Sequence, residues 1–198
     1  ITNTNINNNY SVTEKADGER NLLLFIDNGK ERCNLYTYNR QSDIRFMGVT
    51  TDIKFNNTII DGELITKDIK GRTIQLFMSF DIYYNSGENI KMNDLKSRLD
   101  ILNELIKNLD LKRIEDSPFR IEAKKFIIGN ERKIFEGAKS ILSKEYQEGY
   151  EYHIDGLVFT PIGAVWDGKE NKGSRWDSAF KWKPPEENTI DFQIYTRK

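Results

Sequence analysis

A single cysteine, Cys33, stands in the 198 residues, so an internal disulfide is excluded, and so is a zinc site of the cysteine-rich kind. A reducing compartment is the simple inference from that shortage. No apolar run approaches the ~20 residues needed to span a bilayer, and no signal peptide is visible at the start. Charge of one sign is also lacking, because the net value is −1. That excludes a nucleic-acid binder whose affinity comes from bulk positive charge. It leaves open an enzyme that meets RNA only at its end, through a local basic site. Histidine occurs once, at His153, and is read as structural rather than catalytic.

Hydrophobic residues make up 37% and charged residues 31%, a balance that reads as soluble and globular rather than disordered. The opening stretch 1–9 is a polar, asparagine-rich tract with no periodic apolar face. It reads as a linker or disordered terminus, and the remainder, 10–198, as one domain.

Most of that domain reads as strands. Tyr10 to Thr13 runs into Glu14-Lys15, and Asn21 to Asp27 is apolar before Asn28-Gly29, a strong hairpin signal. The return strand is about Arg32 to Asn39. Thr58 to Thr66 and Thr73 to Tyr84 are β-branched and aromatic runs. Further strands are expected at Phe119 to Ile128, Gly156 to Thr160, Ser178 to Lys183 and Thr189 to Tyr195. Two segments show helical spacing. From Asp94 the apolar positions are Leu95, Leu99, Leu102, Leu105, Ile106 and Leu109. Glu131 to Gln147 repeats the pattern with Ile134, Phe135, Ala138, Ile141, Leu142 and Tyr146. The fold class is therefore α+β, with mainly antiparallel sheets and flanking helices. Gly163 to Asp177, with Trp166 and Trp176, reads as a mobile loop whose simplest role is linkage.

Five short motifs carry chemistry. Lys15-Ala16-Asp17-Gly18-Glu19-Arg20 can point an amine and a guanidinium into one cleft, although Asp-Gly between strands is also a common hairpin. An amine attacks phosphorus only when deprotonated, and neighbouring positive charge favours that state. Asp61-Gly62-Glu63 sets two carboxylates beside a glycine, for a metal or ribose hydroxyls, or simply at a strand end. Phe80-Asp81 offers an aromatic that either fills core or stacks on a base. Asp155-Gly156 gives one acid at the start of a buried strand. In Phe180-Lys181-Trp182-Lys183, alternation puts the two lysines on one face and the aromatics on the other. Two ammonium groups there need anionic company or else protect a sheet edge.

Each motif is weak alone. In this order, Lys-x-Asp-Gly-x-Arg, Asp-Gly-Glu, Phe-Asp, Asp-Gly-hydrophobic and Lys-x-Lys resemble the covalent nucleotidyltransferase superfamily of DNA ligases, RNA ligases and mRNA capping guanylyltransferases, from Tyr10 to about Ile194. Phe180-Lys181-Trp182-Lys183-Pro184-Pro185 with Asn188 to Phe192 resembles the capping-enzyme branch, as do Gly156 to Pro161 and Phe119 to Phe126. With its Ile-, Asn- and Lys-rich composition and its linker-like opening, the sequence resembles multifunctional capping enzymes of large DNA viruses.

The resemblance implies a nucleotidyltransferase domain of the ATP-grasp-like ligase and capping-enzyme type. It implies an mRNA guanylyltransferase that moves GMP from GTP to the 5′-diphosphate end of RNA through a lysyl-GMP intermediate. Alternatives are an ATP-dependent RNA or DNA ligase adenylation domain and a catalytically silent nucleotide- or RNA-end-binding fragment. Lys15 would be the nucleophile. Arg20 and Arg40 would bind ribose and phosphate, and Glu63 the ribose or the metal. Phe80 would stack on guanine, and Lys124 or its neighbour Lys125 would read the guanine edge. Asp155 would organise Mg²⁺ or Mn²⁺, and Lys181 and Lys183 would hold the α-phosphate. GTP, an RNA 5′ end and further capping domains of the same polypeptide are the implied partners, with no membrane. The implied setting is cytoplasmic, a viral factory or a virion. The family continues into an OB-fold lobe that orients the outer phosphates of GTP. The sequence stops at Lys198, so that lobe is expected to lie outside it, and the piece to bind GTP better than it forms the adduct.

Overall fold

We describe the protein from a computed structural model covering residues 5–114, 116–130, 132–147, 149–166 and 178–185. Fifty residues after the first glycine turn already show how the large sheet is built. β2 (Glu19–Asp27) buries Asn21, Leu23 and Phe25 and leaves Leu22 and Leu24 half-covered, the period of two expected of a strand with one face in a core. Asn28 N–H donates to the Arg32 carbonyl across the turn, Gly29 takes φ +71°, and β3 (Arg32–Asn39) returns antiparallel. β4 (Ile44–Asp52), β5 (Ile59–Lys67), β6 (Thr73–Asn85), β7 (Glu88–Asn89) and β8 (Lys112–Arg113) complete the sheet in the order β7-β6-β5-β2-β3-β4-β8. β9 (Phe119–Ala123) runs parallel to β6; the other strand pairs among the described residues are antiparallel.

The second sheet has the order β10-β1-β11-β12, from β10 (Ile127–Gly129), β1 (Tyr10–Ala16), β11 (Ile154–Pro161) and β12 (Phe180–Trp182). Each sheet has its helix. α1 (Leu95–Lys107) is capped by Asp94, whose carboxylate accepts from the Ser97 N–H at 2.7 Å. It lays Leu95, Leu99, Leu102 and Leu105 on Leu23, Phe25, Leu35, Ile60, Phe77 and Ile82 of the large sheet. α2 (Arg132–Gln147) sets Ile134, Ala138 and Ile141 against Val12, Leu157 and Phe159 of the small one. A third cluster, Ala16, Ile65, Leu76, Met78, Tyr152 and Ile154, joins the two sheets and holds the ends of β1 and β11 beside β5 and β6. No helix among the described residues is long and apolar enough to cross a membrane.

The expected elements differ from the structure in identifiable ways. β4 was not anticipated. Met47 to Thr51 are buried in succession, and Gly48, at φ +71°, sits in a bulge where the register against β3 shifts between Asn34 and Tyr36, so the alternation is interrupted. The expected strand Phe119 to Ile128 is two strands. The chain leaves the large sheet after Ala123 and joins the small one at Ile127, with Lys124-Lys125-Phe126 as the crossing. In the tract read as a linker, the described part is anchored: Asn9 N–H donates to Asn130, the Asn9 carbonyl accepts from Ile162 N–H, and Ile6 packs on the small-sheet core. At the start of the expected loop Gly163 to Asp177, Ala164 is buried and Trp166 Nε1 donates to Asp81. The rest of that loop and the strand expected at Thr189 to Tyr195 lie outside the described residues.

Candidate active site

Lys15 lies at the end of β1, where the chain turns toward the large sheet. The turn is tight because Gly18 packs where a Cβ would come within 2.8 Å of Glu63 Cγ and 2.9 Å of the Leu64 carbonyl. Asp17 N–H donates to the His153 carbonyl, which ties the turn to the start of β11. Lys15 Nζ then donates to both oxygens of Asp155, at 2.5 and 2.7 Å. Lys183 Nζ reaches the same carboxylate at 2.6 Å. Burial works against the charge on Asp155, but the hydrogen bonds from Lys15 and Lys183 outweigh it and hold the carboxyl below the usual aspartate range.

Gly156 is what lets β12 deliver its lysines. It adopts φ +145°, and a Cβ there would lie 1.9 Å from the Trp182 carbonyl oxygen. The pairing that follows sets Lys181 opposite Val158, itself opposite Thr13. Phe180 and Trp182 point the other way: the Phe180 ring is 6.1 Å from that of Tyr10, and Trp182 lines a groove with Phe135 and Leu142 of α2. Desolvation lowers the Lys181 pKa, and the fields of Lys15, Arg20 and Arg40 lower it further. Lys181 therefore joins a cluster of positive charge, with Glu63 pulling the other way.

The large sheet supplies the facing wall. In β5, Gly62 is packed so closely that a Cβ would meet the Phe77 ring at 2.4 Å, so Asp61 and Glu63 share the opposite face. Asp61 is fully buried and accepts from Arg20 Nε at 3.0 Å, from Arg20 Nη2 at 2.5 Å and from the Tyr83 hydroxyl at 2.5 Å. This two-pronged bond raises the Arg20 pKa further and fixes the guanidinium. Burial pushes the Glu63 carboxyl up, with Lys124, Lys15 and Arg20 pulling the other way. The Phe80 ring is partly exposed, with Arg20 Cζ and Lys124 Nζ each 5.8 Å from its centroid.

Lys124 is buried, whereas Lys125 is exposed and gives its carbonyl to Thr13 Oγ1. Lys124 Nζ donates to the Glu14 carbonyl at 3.1 Å and stands 3.8 Å from the Glu14 carboxylate. Burial depresses its pKa. Glu14 is itself buried and accepts from the Tyr152 and Thr13 hydroxyls.

The structure thus gathers Lys15, Arg20, Glu63, Phe80, Lys124, Asp155, Lys181 and Lys183 between the two sheets. Arg40 sits further along, at the exit of β3, lining a cleft of about 500 Å³ that Arg20 also borders. Sequence reasoning missed the partners. Asp61, grouped with Glu63 as a carboxylate for metal or ribose, is committed to Arg20 and Tyr83. Glu14 reads as ordinary strand, although alternation puts it on the face of Tyr10, Val12 and Ala16, a signal that it needs a buried partner. Among the described residues, no three of His, Cys, Asp and Glu gather as a metal site.

Residues 3–185 match the family described as mRNA capping enzyme, catalytic domain. The mRNA-capping enzyme of Danio rerio is 29% identical over 210 residues, which cover 96% of this chain and 32% of that protein. The probable mRNA-capping enzyme of Acanthamoeba polyphaga mimivirus is 26% identical, over 98% of this chain and 20% of its own length. The chain thus spans a third or less of either relative. Among solved structures, a mycobacterial DNA ligase D superposes with a TM-score of 0.55 at 15% identity, covering 88% of this chain and 54% of that one. At that identity the likeness is one of fold.

Proposed function

This chain belongs to the mRNA capping enzyme catalytic-domain family, and we propose that it is an mRNA guanylyltransferase with Lys15 as its nucleophile. The observation that carries the reading is the pairing of Lys15 with Asp155 beside Lys183, in a cluster of cations that faces Arg20, Glu63 and Phe80. In the first step Lys15 Nζ attacks the α-phosphorus of GTP. A P–N bond forms, the bridging P–O bond to the β-phosphate breaks, pyrophosphate leaves and the amine gives up a proton. In the second, a terminal oxygen of the RNA 5′-diphosphate attacks the same phosphorus. A P–O bond forms, the P–N bond breaks, and the electron pair returns to the Lys15 nitrogen, which takes up a proton.

The side chains contribute charge and position. Lys181 and Lys183 offset charge on the α-phosphate, and Arg20 and Arg40 bind ribose and phosphate. Phe80 stacks on guanine while Lys124, the buried one of the two adjacent lysines, reads its edge. Asp155 is a poor acceptor for the Lys15 proton because its own pKa is depressed. Its part is to hold the amine in place. A divalent ion, Mg²⁺ or Mn²⁺, would share Asp155 with its two ammonium partners, with Glu63 as the second carboxylate near Lys15 and phosphate oxygens and water completing the set. Such an ion would supply positive charge against the triphosphate.

The test is labelling from α-³²P-nucleotides with mass analysis of the Lys15 peptide. GTP should label and ATP should not, and Lys15→Ala should lose the label while keeping its fold. Preferential labelling by ATP would move the chain to the ligases, and labelling that survives Lys15→Ala would remove the nucleophile.

A further inference from the structure

The cleft beyond Arg20 shares Arg20 and Arg40 with the positions assigned to GTP and extends away from the rest of them. None of Lys15, Phe80, Lys124, Lys181 and Lys183 lines it. Its walls are Arg20, Tyr38, Arg40, Tyr83, Lys91 and Trp166, with Leu22 and two asparagines between them. Its one carboxylate, Asp61, is spent on Arg20 and Tyr83, so Arg40 and Lys91 leave it positive. The polar tips of two of the three rings are also pinned. The Tyr83 hydroxyl donates to Asp61, and Trp166 Nε1 donates to Asp81 at 3.0 Å. What Tyr83 and Trp166 present is ring surface, and the two rings meet edge to face at 5.4 Å. Tyr38 is braced by its hydroxyl on Ser42. Cations interleaved with rigid aromatic walls suit a flexible anionic strand with stacked bases. Arg20 lines the cleft and also stands 5.8 Å from the Phe80 ring centroid, so the cleft borders the site.

We propose that this cleft is the acceptor subsite, which takes the first nucleosides of a single-stranded RNA whose 5′-diphosphate points toward Lys15. Bases stack on Tyr38 and on the Tyr83–Trp166 pair, and a backbone phosphate lies at Lys91. The orientation toward Lys15 rests on the guanylyltransferase reading above; the binding of single-stranded RNA does not.

The experiment measures the anisotropy of a tetraribonucleotide with a 5′-diphosphate and a 3′ fluorophore, titrated with the wild-type chain and with Tyr38→Ala, Tyr38→Phe and Lys91→Glu. GTP affinity and Lys15 labelling are measured in parallel, and thermal melting checks each variant. Tyr38→Ala and Lys91→Glu should each weaken RNA binding roughly tenfold. Lys91→Glu should also flatten the salt dependence. Tyr38→Phe should bind like wild type, and GTP affinity and labelling should stay within about twofold throughout. Two exchanges at different walls of the cleft keep the test decisive if one of them fails to fold. The proposal is overturned if the wild type does not bind the oligonucleotide, if both variants bind it unchanged, or if GTP affinity falls in step with RNA affinity. A wild type that labels from ATP in preference to GTP but binds RNA with this pattern would overturn the guanylyltransferase reading and leave the cleft assignment standing.

Discussion

Replacing Gly156 by alanine should silence the candidate site at a modest cost in stability. A Cβ at Gly156 lies 1.9 Å from the Trp182 carbonyl oxygen and 3.0 Å from its carbon, on a backbone at φ +145°. The obstacle is main chain, so no rotamer change relieves it. Either β11 deforms or β12 lifts away. β11 is held along its other edge by β1, from Tyr10 to Ala16. β12 is three exposed residues paired on one side. Releasing it forfeits a few hydrogen bonds, each with a net worth of about 0.5–1.5 kcal/mol. Forcing the strained φ costs about 1–3 kcal/mol before the clash is counted. Detachment is the cheaper route, for an expected loss of about 2–4 kcal/mol, and it carries Lys181 and Lys183 away from Asp155. Gly62→Ala is the contrast. Its Cβ would meet the ring of Phe77, fully buried in the main core, so the strain has no strand to shed and the whole domain pays. Amide hydrogen exchange at residues 180–182, guanidinium denaturation and GTP labelling separate the two. Gly156→Ala should lose protection there and labelling together, with the main transition largely kept. Full protection and full labelling in that variant would refute the idea that this strand pairing presents the lysines.

Asp155→Asn should cost about 1 kcal/mol at neutral pH, since Lys183 is a third exposed and its share is screened. The folded Asp155 pKa lies below the unfolded one, so the wild-type advantage should be present above about pH 4 and vanish as pH falls through the depressed value; a gap that persists unchanged in denaturation curves down to the acid limit would contradict the ion-pair assignment. Arg98→Ala should cost about 3–5 kcal/mol, because Arg98 is fully buried and bonds both oxygens of Asp81 and the carbonyls of Asn93 and Ala164. GTP affinity per folded molecule should not change in that variant, and a loss below 1 kcal/mol would mean that the pair is not structural.

Much of the framework was legible because it is local. The Asn28-Gly29 hairpin, the α1 stripe and most of the α2 stripe depend on residues a few positions apart, and Ile134, Ala138 and Ile141 face the core as the pattern places them, whereas Phe135 of the same stripe is exposed. So does the split of Lys181 and Lys183 from Phe180 and Trp182, which alternation alone dictates. β4 was lost because a glycine bulge hides the alternation. The change of sheet at Lys124 was lost because a crossing has no periodicity to read.

The sequence by itself determined which residue types meet at the site, since the ordered motifs carry lysine, arginine, aromatic and carboxylate in fixed spacing. Only the tertiary structure decided who partners whom. Lys15 finds Asp155 across 140 positions, Arg20 finds Asp61 across 41, and Lys124 finds the Glu14 backbone across 110. Strand order and register set those meetings. A carboxylate read in isolation looks equally fit for a metal, a sugar or an arginine, and burial beside a particular cation is what settles Asp61 on Arg20.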